Sequence, residues 1–167
     1  MSVNRGKSFE SVIKSAFEKV NDVSIDRLHD QTTGYIGSSN ICDFIVYKKP
    51  YEYYIECKTV HGNTFSIFSN DKSGKGEVYG NVTKKQWEGL SEKAKISGVL
   101  AGVLIWWVDK DTTKFISIEE LQNHRENNKS VRYDAELGIE LSGKKKRVFF
   151  DYDMQEFFNS TRQNYAL

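Results

Sequence analysis

The chain has 167 residues, of which 38% are hydrophobic and 28% charged, and its formal net charge is +1. This composition is ordinary for a soluble globular protein and predicts a single domain over residues 1–167. No apolar run approaches the roughly 20 residues of a membrane span, so we expect no membrane contact. The first residues lack an apolar signal core, and the two cysteines do not form a secreted disulfide pattern. Both features indicate a reducing cytoplasm.

The first predicted element is a helix over residues 8–21, in which apolar side chains recur at helical spacing after a candidate N-cap at Ser8. A short strand over 23–28 and a polar, glycine-bearing loop over 29–40 follow. Residues 41–60 then form two apolar runs that predict a β-hairpin with a tight turn.

The second half of the chain continues with a polar loop over 69–83, which we expect to be mobile, and a helix over 84–97. Gly89 is an unfavourable residue for the interior of that helix. Residues 99–108 are almost continuously apolar, as is typical of a central strand covered on both faces. The remaining predictions are a strand at 114–118, a helix at 117–126 with a Ser117–Glu120 capping box, a basic turn at 142–147, a strand at 147–153 and a helix at 154–160. The resulting order α-β-β-β-α-β-β-α predicts an α/β domain with a mixed sheet flanked by helices.

The hairpin carries three charged side chains that an apolar sheet does not easily accept, Asp43, Glu56 and Lys58. If Lys49 and Pro50 are the central turn residues, Asp43 lies directly across from Glu56. Lys58 then shares the face of Glu56, because strand side chains alternate. Pro50 is a poor second residue of a two-residue turn, so a longer loop is the alternative. The convergence survives only register shifts that keep the alternation.

Two carboxylates a few ångströms apart repel each other unless a proton or a cation lies between them. Mg²⁺ prefers such oxygen ligands, and a lysine beside it can stabilise charge on a phosphate or help to deprotonate a water. Asp43, Glu56 and the backbone carbonyl of Cys57 are therefore predicted metal ligands, and Lys58 is predicted to be catalytic in phosphodiester hydrolysis. The alternative is an exposed ion network without function. The same register opposes Cys42 to Cys57, and we expect both thiols to pack, reduced, behind the charged face.

Asp43, twelve intervening residues and then Glu56-Cys57-Lys58 resemble the core of the PD-(D/E)xK nucleases. Five stretches in order resemble RecU-type Holliday junction resolvases, including phage-encoded versions: NRGKSFESVIKSAF (4–17), IECKT (55–59), TFSIFSN (64–70), KKQWEGLSEKAKISGVLAGVLIWW (84–107) and FISIEELQNHRENNKSVRYDAE (115–136). The resemblance extends discontinuously over roughly residues 4–140.

This resemblance implies a restriction-endonuclease-like fold, four-way DNA junctions as substrate, Mg²⁺ that Mn²⁺ can replace, and a homodimer in the cytoplasm of a bacterium that makes two coordinated nicks. It also makes Glu10 a further acid of the metal site, and Gln86 a residue that orients the nucleophile or touches a phosphate. A solvated glutamate and a surface glutamine remain the alternatives. The family carries a longer stalk before its catalytic aspartate than the segment 29–42 provides here.

Basic residues near the predicted site are candidates for gripping DNA phosphates. They are Arg5, Lys7, Lys72, Lys75, Lys84 and Lys85. For each lysine alone a solvated surface position is the alternative, and for His61 a substrate contact is the less favoured interpretation. Three other functions stay open: a restriction or repair endonuclease that acts on duplex, flap or nicked DNA, a non-catalytic junction-binding module, and a protein-interaction domain with a charged hairpin.

Overall fold

The computed structural model describes residues 5–28, 40–69 and 78–165. In chain order its elements are α1 (Arg5–Glu18), β1 (Ser24–Arg27), β2 (Phe44–Lys48), β3 (Tyr51–Val60), β4 (Thr64–Ser66), β5 (Phe68–Ser69), β6 (Val78–Tyr79), α2 (Lys84–Ala94), β7 (Val99–Trp107), a 3₁₀ turn (Val108–Lys110), β8 (Thr112–Ser117), α3 (Ile118–Arg125), β9 (Ser130–Arg132), β10 (Ile139–Glu140), β11 (Gly143–Lys145), β12 (Phe150–Tyr152) and α4 (Met154–Asn164).

A six-stranded sheet in the order β1-β2-β3-β7-β8-β10 forms the centre of the fold. Strands β3 and β7 run parallel, and all other neighbours in this sheet are antiparallel. A parallel pair needs a crossover connection, which here contains α2. The predicted α/β class with a mixed sheet flanked by helices is therefore confirmed, and the core elements follow the predicted order.

Helices cover both faces of the sheet because β3 and β7 bury apolar side chains on each side. One cluster joins β3 to α1 and α4 and includes Phe9, Ile13, Phe17, Tyr53, Ile55, Cys57, Phe157 and Phe158. The other joins the opposite face to α2 and α3 and includes Tyr54, Val60, Trp87, Leu90, Trp107, Ile118 and Leu121. All of β7 after its first residue is buried, as expected for a central strand. Within the described ranges, no helix is long and apolar enough to cross a membrane.

The β2–β3 hairpin has the predicted register. Its pairs run from Phe44 with Ile55 to Lys48 with Tyr51, so the turn has only two central residues. Those residues are Lys49 and Pro50, joined by a cis peptide bond, so no longer loop is needed. The turn is of the kind that takes a cis-proline at its second central position.

Several predicted boundaries differ from the observed ones. Helix α1 begins at Arg5 and ends at Glu18, earlier than predicted at both ends, and α4 extends to Asn164. The basic segment predicted as a turn contributes strand β11, which pairs with β12. The short ribbons β4–β9 and β5–β6 and the edge strand β10 had no clear sequence signal, because two or three residues do not establish a period.

The expectation that Cys42 and Cys57 face each other is wrong. Both are free and buried, but Cys42 packs in the cluster with α2 and Cys57 in the cluster with α1. Strand β2 begins at Phe44, so Cys42 lies outside the regular ladder that the prediction extended to it. The presence of glycine at position 89 of α2 is explained by packing, because a β-carbon on Gly89 would lie 2.3 Å from Cγ2 of Ile41. The absence of a side chain lets α2 approach the segment that leads into β2.

Candidate active site

A small polar pocket opens where the hairpin meets the first turns of α1 and α2. Its volume is about 240 Å³. It is lined by Glu10, Asn40, Cys42, Asp43, Glu56, Cys57, Lys58 and Gln86. All five side chains that the sequence predicted to be catalytic are therefore brought together in one place, with the predicted backbone ligand at Cys57. Because the thiol of Cys57 packs under α1, it is the backbone of this residue that faces the pocket.

Asp43 is fixed by the strand opposite it. Its Oδ2 accepts a hydrogen bond from the backbone N–H of Cys57 at 2.7 Å, and its own N–H donates to the carbonyl of Ile55 at 3.1 Å. These two bonds continue the hairpin ladder by one step beyond β2. They hold the carboxylate of Asp43 beside the next inward-facing residue of β3, which is Glu56.

Glu56 is almost completely buried, with 3% of its surface exposed. Its Oε1 accepts hydrogen bonds from Nε2 of Gln86 at 2.6 Å and from Nζ of Lys58 at 2.7 Å. Burial, followed by the charge of Asp43, raises the pKa of Glu56 to about 7, although the ammonium group of Lys58 acts in the opposite direction. Desolvation therefore changes the pKa of Glu56 more than the ion pair with Lys58 does.

The donor set fits a hard divalent cation. Oε2 of Glu56 is buried and has no hydrogen-bond partner among the described residues, and the charge of Asp43 repels that of Glu56. A cation between the two carboxylates would satisfy the unpaired oxygen and remove the repulsion. The described residues contain no group of three or more His, Cys, Asp or Glu side chains arranged to hold a metal. Mg²⁺ commonly keeps several waters and takes only one or two carboxylates, which Asp43 and Glu56 could provide.

Glu10 reaches the pocket from α1 and is paired there with Arg27 of β1. Both side chains are mostly buried, at 19% and 28% exposure. The ion pair fixes the orientation of Glu10 and compensates part of the negative charge of the site. Sequence reasoning missed Arg27, because nothing in a four-residue strand distinguishes it from a surface arginine.

Gln86 supports Glu56, and its amide is largely committed to other contacts. It is the third residue of α2 and forms a capping box with Thr83: its Oε1 accepts from the N–H of Thr83 at 3.0 Å. Its Nε2 donates to Glu56. The carbonyl of Gln86 caps the helix, and its amide nitrogen holds the carboxylate of Glu56. The role in orienting a nucleophile or touching a phosphate stays a prediction. The spacing Thr-x-x-Gln was the available sequence signal for the cap.

The described residues among the DNA-binding candidates do not line the pocket. Lys84 and Lys85 are exposed in the first turn of α2, and Lys7 is exposed in the first turn of α1. Lys84 lies 3.7 Å from Glu88 in an exposed ion pair, which contributes little. Lys72 and Lys75 fall outside the described residues.

Arg5 belongs to a separate exposed network at the carboxyl ends of β3 and β7. Its Nη1 lies 3.4 Å from Nε2 of His61, and Nδ1 of the same ring lies 3.1 Å from Oδ1 of Asp109. Oδ2 of Asp109 accepts from the N–H of Gly62 at 2.7 Å. This N–H and the ring of His61 hold the pKa of Asp109 below its ordinary value. The network fixes the end of β3 close to the start of α1.

No protein-family model matches the chain, and no curated protein matches it. Among solved structures, the chain is similar to Hjc, a Holliday junction resolvase from the archaeal hyperthermophile Archaeoglobus fulgidus. The TM-score is 0.46 at 14% sequence identity, over 70% of this chain and 75% of the resolvase. A likeness this distant carries no weight for function, so a functional proposal has to be supported by the pocket and by the sequence motifs.

Proposed function

We propose that this protein is a metal-dependent nuclease of the PD-(D/E)xK type that hydrolyses DNA phosphodiester bonds. The observation that carries the proposal is the convergence of Asp43, Glu56 and Lys58 in one polar pocket, where Oε2 of the buried Glu56 has no hydrogen-bond partner among the described residues. Two carboxylates without a function are not normally found together in the interior of a sheet, because burial and mutual repulsion both oppose their ionisation. A metal-binding catalytic role accounts for the pair.

Asp43, Glu56 and the carbonyl of Cys57 are the proposed ligands of Mg²⁺, for which Mn²⁺ would substitute. The ion would supply charge stabilisation for the phosphate and a more acidic water. In the reaction the water oxygen bonds to phosphorus, the bond from phosphorus to the leaving sugar oxygen breaks, and the leaving oxygen gains the proton that the water loses. The ammonium group of Lys58, held on Glu56, would stabilise the negative charge that develops on the phosphate oxygens.

The N-terminal turns of α1 and α2 would contact the backbone of a bound DNA strand. Glu10 and Gln86 both line the pocket, so each helix directs its first turns towards it. Arg5 lies five residues before Glu10, which is about 8 Å along a helix axis. Lys84 and Lys85 directly precede Gln86. Phosphates on either side of the bond to be cut would therefore meet basic side chains and helix N-termini.

For the finer assignment we propose a RecU-type resolvase that acts on four-way junctions as a homodimer. Its support is the ordered series of sequence stretches from residue 4 to residue 136 that resemble this family. Two coordinated nicks in a two-fold symmetric junction require two active sites related by symmetry.

The test is a strand-labelled cleavage assay with Mg²⁺ on a four-way junction and on a linear duplex of the same sequence. Wild type is compared with Lys58→Ala, with Asp43→Asn and with the control Lys95→Ala, whose side chain is 68% exposed at the end of α2. Circular dichroism melts establish that each variant is folded. We expect paired symmetric nicks confined to the junction, lost in the first two variants and kept in the control.

Other results would separate the alternatives. Cutting of both substrates would keep the catalytic site but indicate a restriction or repair nuclease. A junction that is bound in EDTA but not cut in Mg²⁺ would contradict the enzymatic proposal and indicate a binding module. Sedimentation of the free protein tests the homodimer.

A further inference from the structure

In the part of the proposed active site that the structure describes, two buried polar atoms of opposite kind lack a hydrogen-bond partner. One is the donor Nδ2 of Asn40, and the other is the acceptor Oε2 of Glu56. Neither has a hydrogen-bond partner within the described part of the chain, and both residues line the same pocket of about 240 Å³. Buried groups of this kind are costly in a folded protein and usually require an explanation, such as a ligand or an ordered water.

The other polar groups around the pocket have partners of their own. Glu10 is paired with Arg27, and Gln86 with Thr83 and Glu56. The thiol of Cys42 donates to the carbonyl of Phe44 at 3.4 Å. Asn40 therefore contributes an amide donor that has no hydrogen-bond partner among the described residues, whereas Gln86, the amide expected from the sequence, already donates to Glu56.

Resting on the proposed nuclease function, we propose that Asn40 positions the attacking water. Its Nδ2 donates a hydrogen bond to the water oxygen, and the water donates one of its hydrogens to Oε2 of Glu56. One lone pair of the water then stays free to attack phosphorus. Asn40 touches the reacting water and would count as a catalytic residue.

A donor on Asn40 and an acceptor on Glu56 fit a water molecule better than a phosphate oxygen or a metal cation. A phosphate oxygen only accepts hydrogen bonds, so it would suit Asn40 but would be repelled by the carboxylate of Glu56. A metal cation would suit Glu56 but not an amide N–H. Water is both donor and acceptor and satisfies both atoms. Because a carboxylate oxygen has two lone-pair positions, Oε2 can accept from the water and still face a cation.

The first test is kinetic and uses Asn40→Leu, which keeps the approximate shape and removes the donor, with Asn159→Leu on the exposed face of α4 as the matched control. We expect the single-turnover cleavage rate of Asn40→Leu to fall about 10- to 100-fold. Affinity for the junction, measured with Ca²⁺ in place of Mg²⁺, should stay within about twofold of wild type. The control should match wild type in both measurements.

Stability separates a catalytic role from a structural one. Since no described protein group accepts from Nδ2 of Asn40, Asn40→Leu breaks no protein hydrogen bond of this donor, and the melting temperature should change little. A lower melting temperature together with unchanged cleavage would show that Asn40 has only a structural role. A loss of junction affinity that equals the loss of rate would show a phosphate contact instead. Either outcome overturns the proposal.

The second test does not depend on activity. A high-resolution crystal structure without metal should contain an ordered water within about 3 Å of both Nδ2 of Asn40 and Oε2 of Glu56. If Nδ2 instead bonds to another protein group, the inference is wrong whatever the protein does to DNA. If the water is present but no DNA is cut, the proposed nuclease function fails while the water site stands.

Discussion

Replacing Glu56 by glutamine should stabilise the metal-free protein at neutral and alkaline pH. Glutamine has nearly the same shape and can still accept from Gln86 and Lys58 through its carbonyl oxygen, but it carries no charge. In the wild type, burial and the charge of Asp43 raise the pKa of Glu56 from about 4.5 to about 7. Between these values the folded chain keeps a proton that the unfolded chain has lost. The wild type therefore loses stability as the pH rises from 4.5 to 7.

The size of this stabilisation follows from the shift in the pKa of Glu56. Each unit of pKa difference corresponds to about 1.4 kcal/mol, so the ionised carboxylate costs the folded state on the order of 3 kcal/mol above pH 7. The difference in free energy of unfolding between Glu56→Gln and wild type should grow by this amount between pH 4 and pH 8. For a chain of this length that corresponds to roughly 6 to 12 °C in melting temperature.

The assay is urea unfolding in EDTA at a series of pH values for wild type, for Glu56→Gln and for the control Glu88→Gln. The side chain of Glu88 is 61% exposed on α2, and we expect its variant to follow wild type at every pH. Mg²⁺ at a hundred times its dissociation constant should raise the free energy of unfolding of wild type by about 3 kcal/mol. The same Mg²⁺ concentration should stabilise Glu56→Gln less. A difference between Glu56→Gln and wild type that does not change with pH would refute the reasoning.

Three further changes test separate contacts. Asp43→Ala should lower the free energy of unfolding in urea by about 1 to 3 kcal/mol, because the buried N–H of Cys57 loses its acceptor; an unchanged midpoint would contradict that role. Gly89→Ala should lower the free energy of unfolding by about 1 to 3 kcal/mol, measured from its melting temperature, because the new β-carbon would lie 2.3 Å from Ile41. This loss is expected although alanine favours helices more than glycine does. A more stable variant would show that Ile41 can move away at little cost. Arg5→Ala should reduce the slope of log affinity for DNA against log salt concentration by about 0.9 if it contacts one phosphate, and an unchanged slope would exclude that contact.

The hairpin and the central strand β7 could be predicted because each contains apolar runs of strand length. The register followed from one assumption about the turn, and with it the convergence of Asp43, Glu56 and Lys58. The long apolar run of β7 indicated a strand covered on both faces, which α1, α2, α3 and α4 provide. In both cases the local apolar pattern and burial in the fold favour the same structure.

The supporting residues of the site could not be predicted, because they come from elements far apart in the sequence. Arg27 reaches Glu10 only when β1 is added to the edge of β2, and Asn40 lies in a polar segment with no periodic signal. Gln86 was singled out by resemblance, but its contacts follow from the cap of α2 and the approach of that helix to β3. Such contacts depend on three-dimensional packing, which a single sequence does not reveal.

The hairpin also has a consequence for the order in which the chain folds. Its antiparallel pairing is local in sequence, whereas the parallel pairing of β3 with β7 must wait for the crossover between them to close. The two carboxylates therefore meet early, while water still surrounds them. Because Gln86 of α2 contacts Glu56 in the folded chain, we expect the desolvation of Glu56 to be completed only when α2 docks. We expect the barrier to that later step to carry the electrostatic cost of burying the charge.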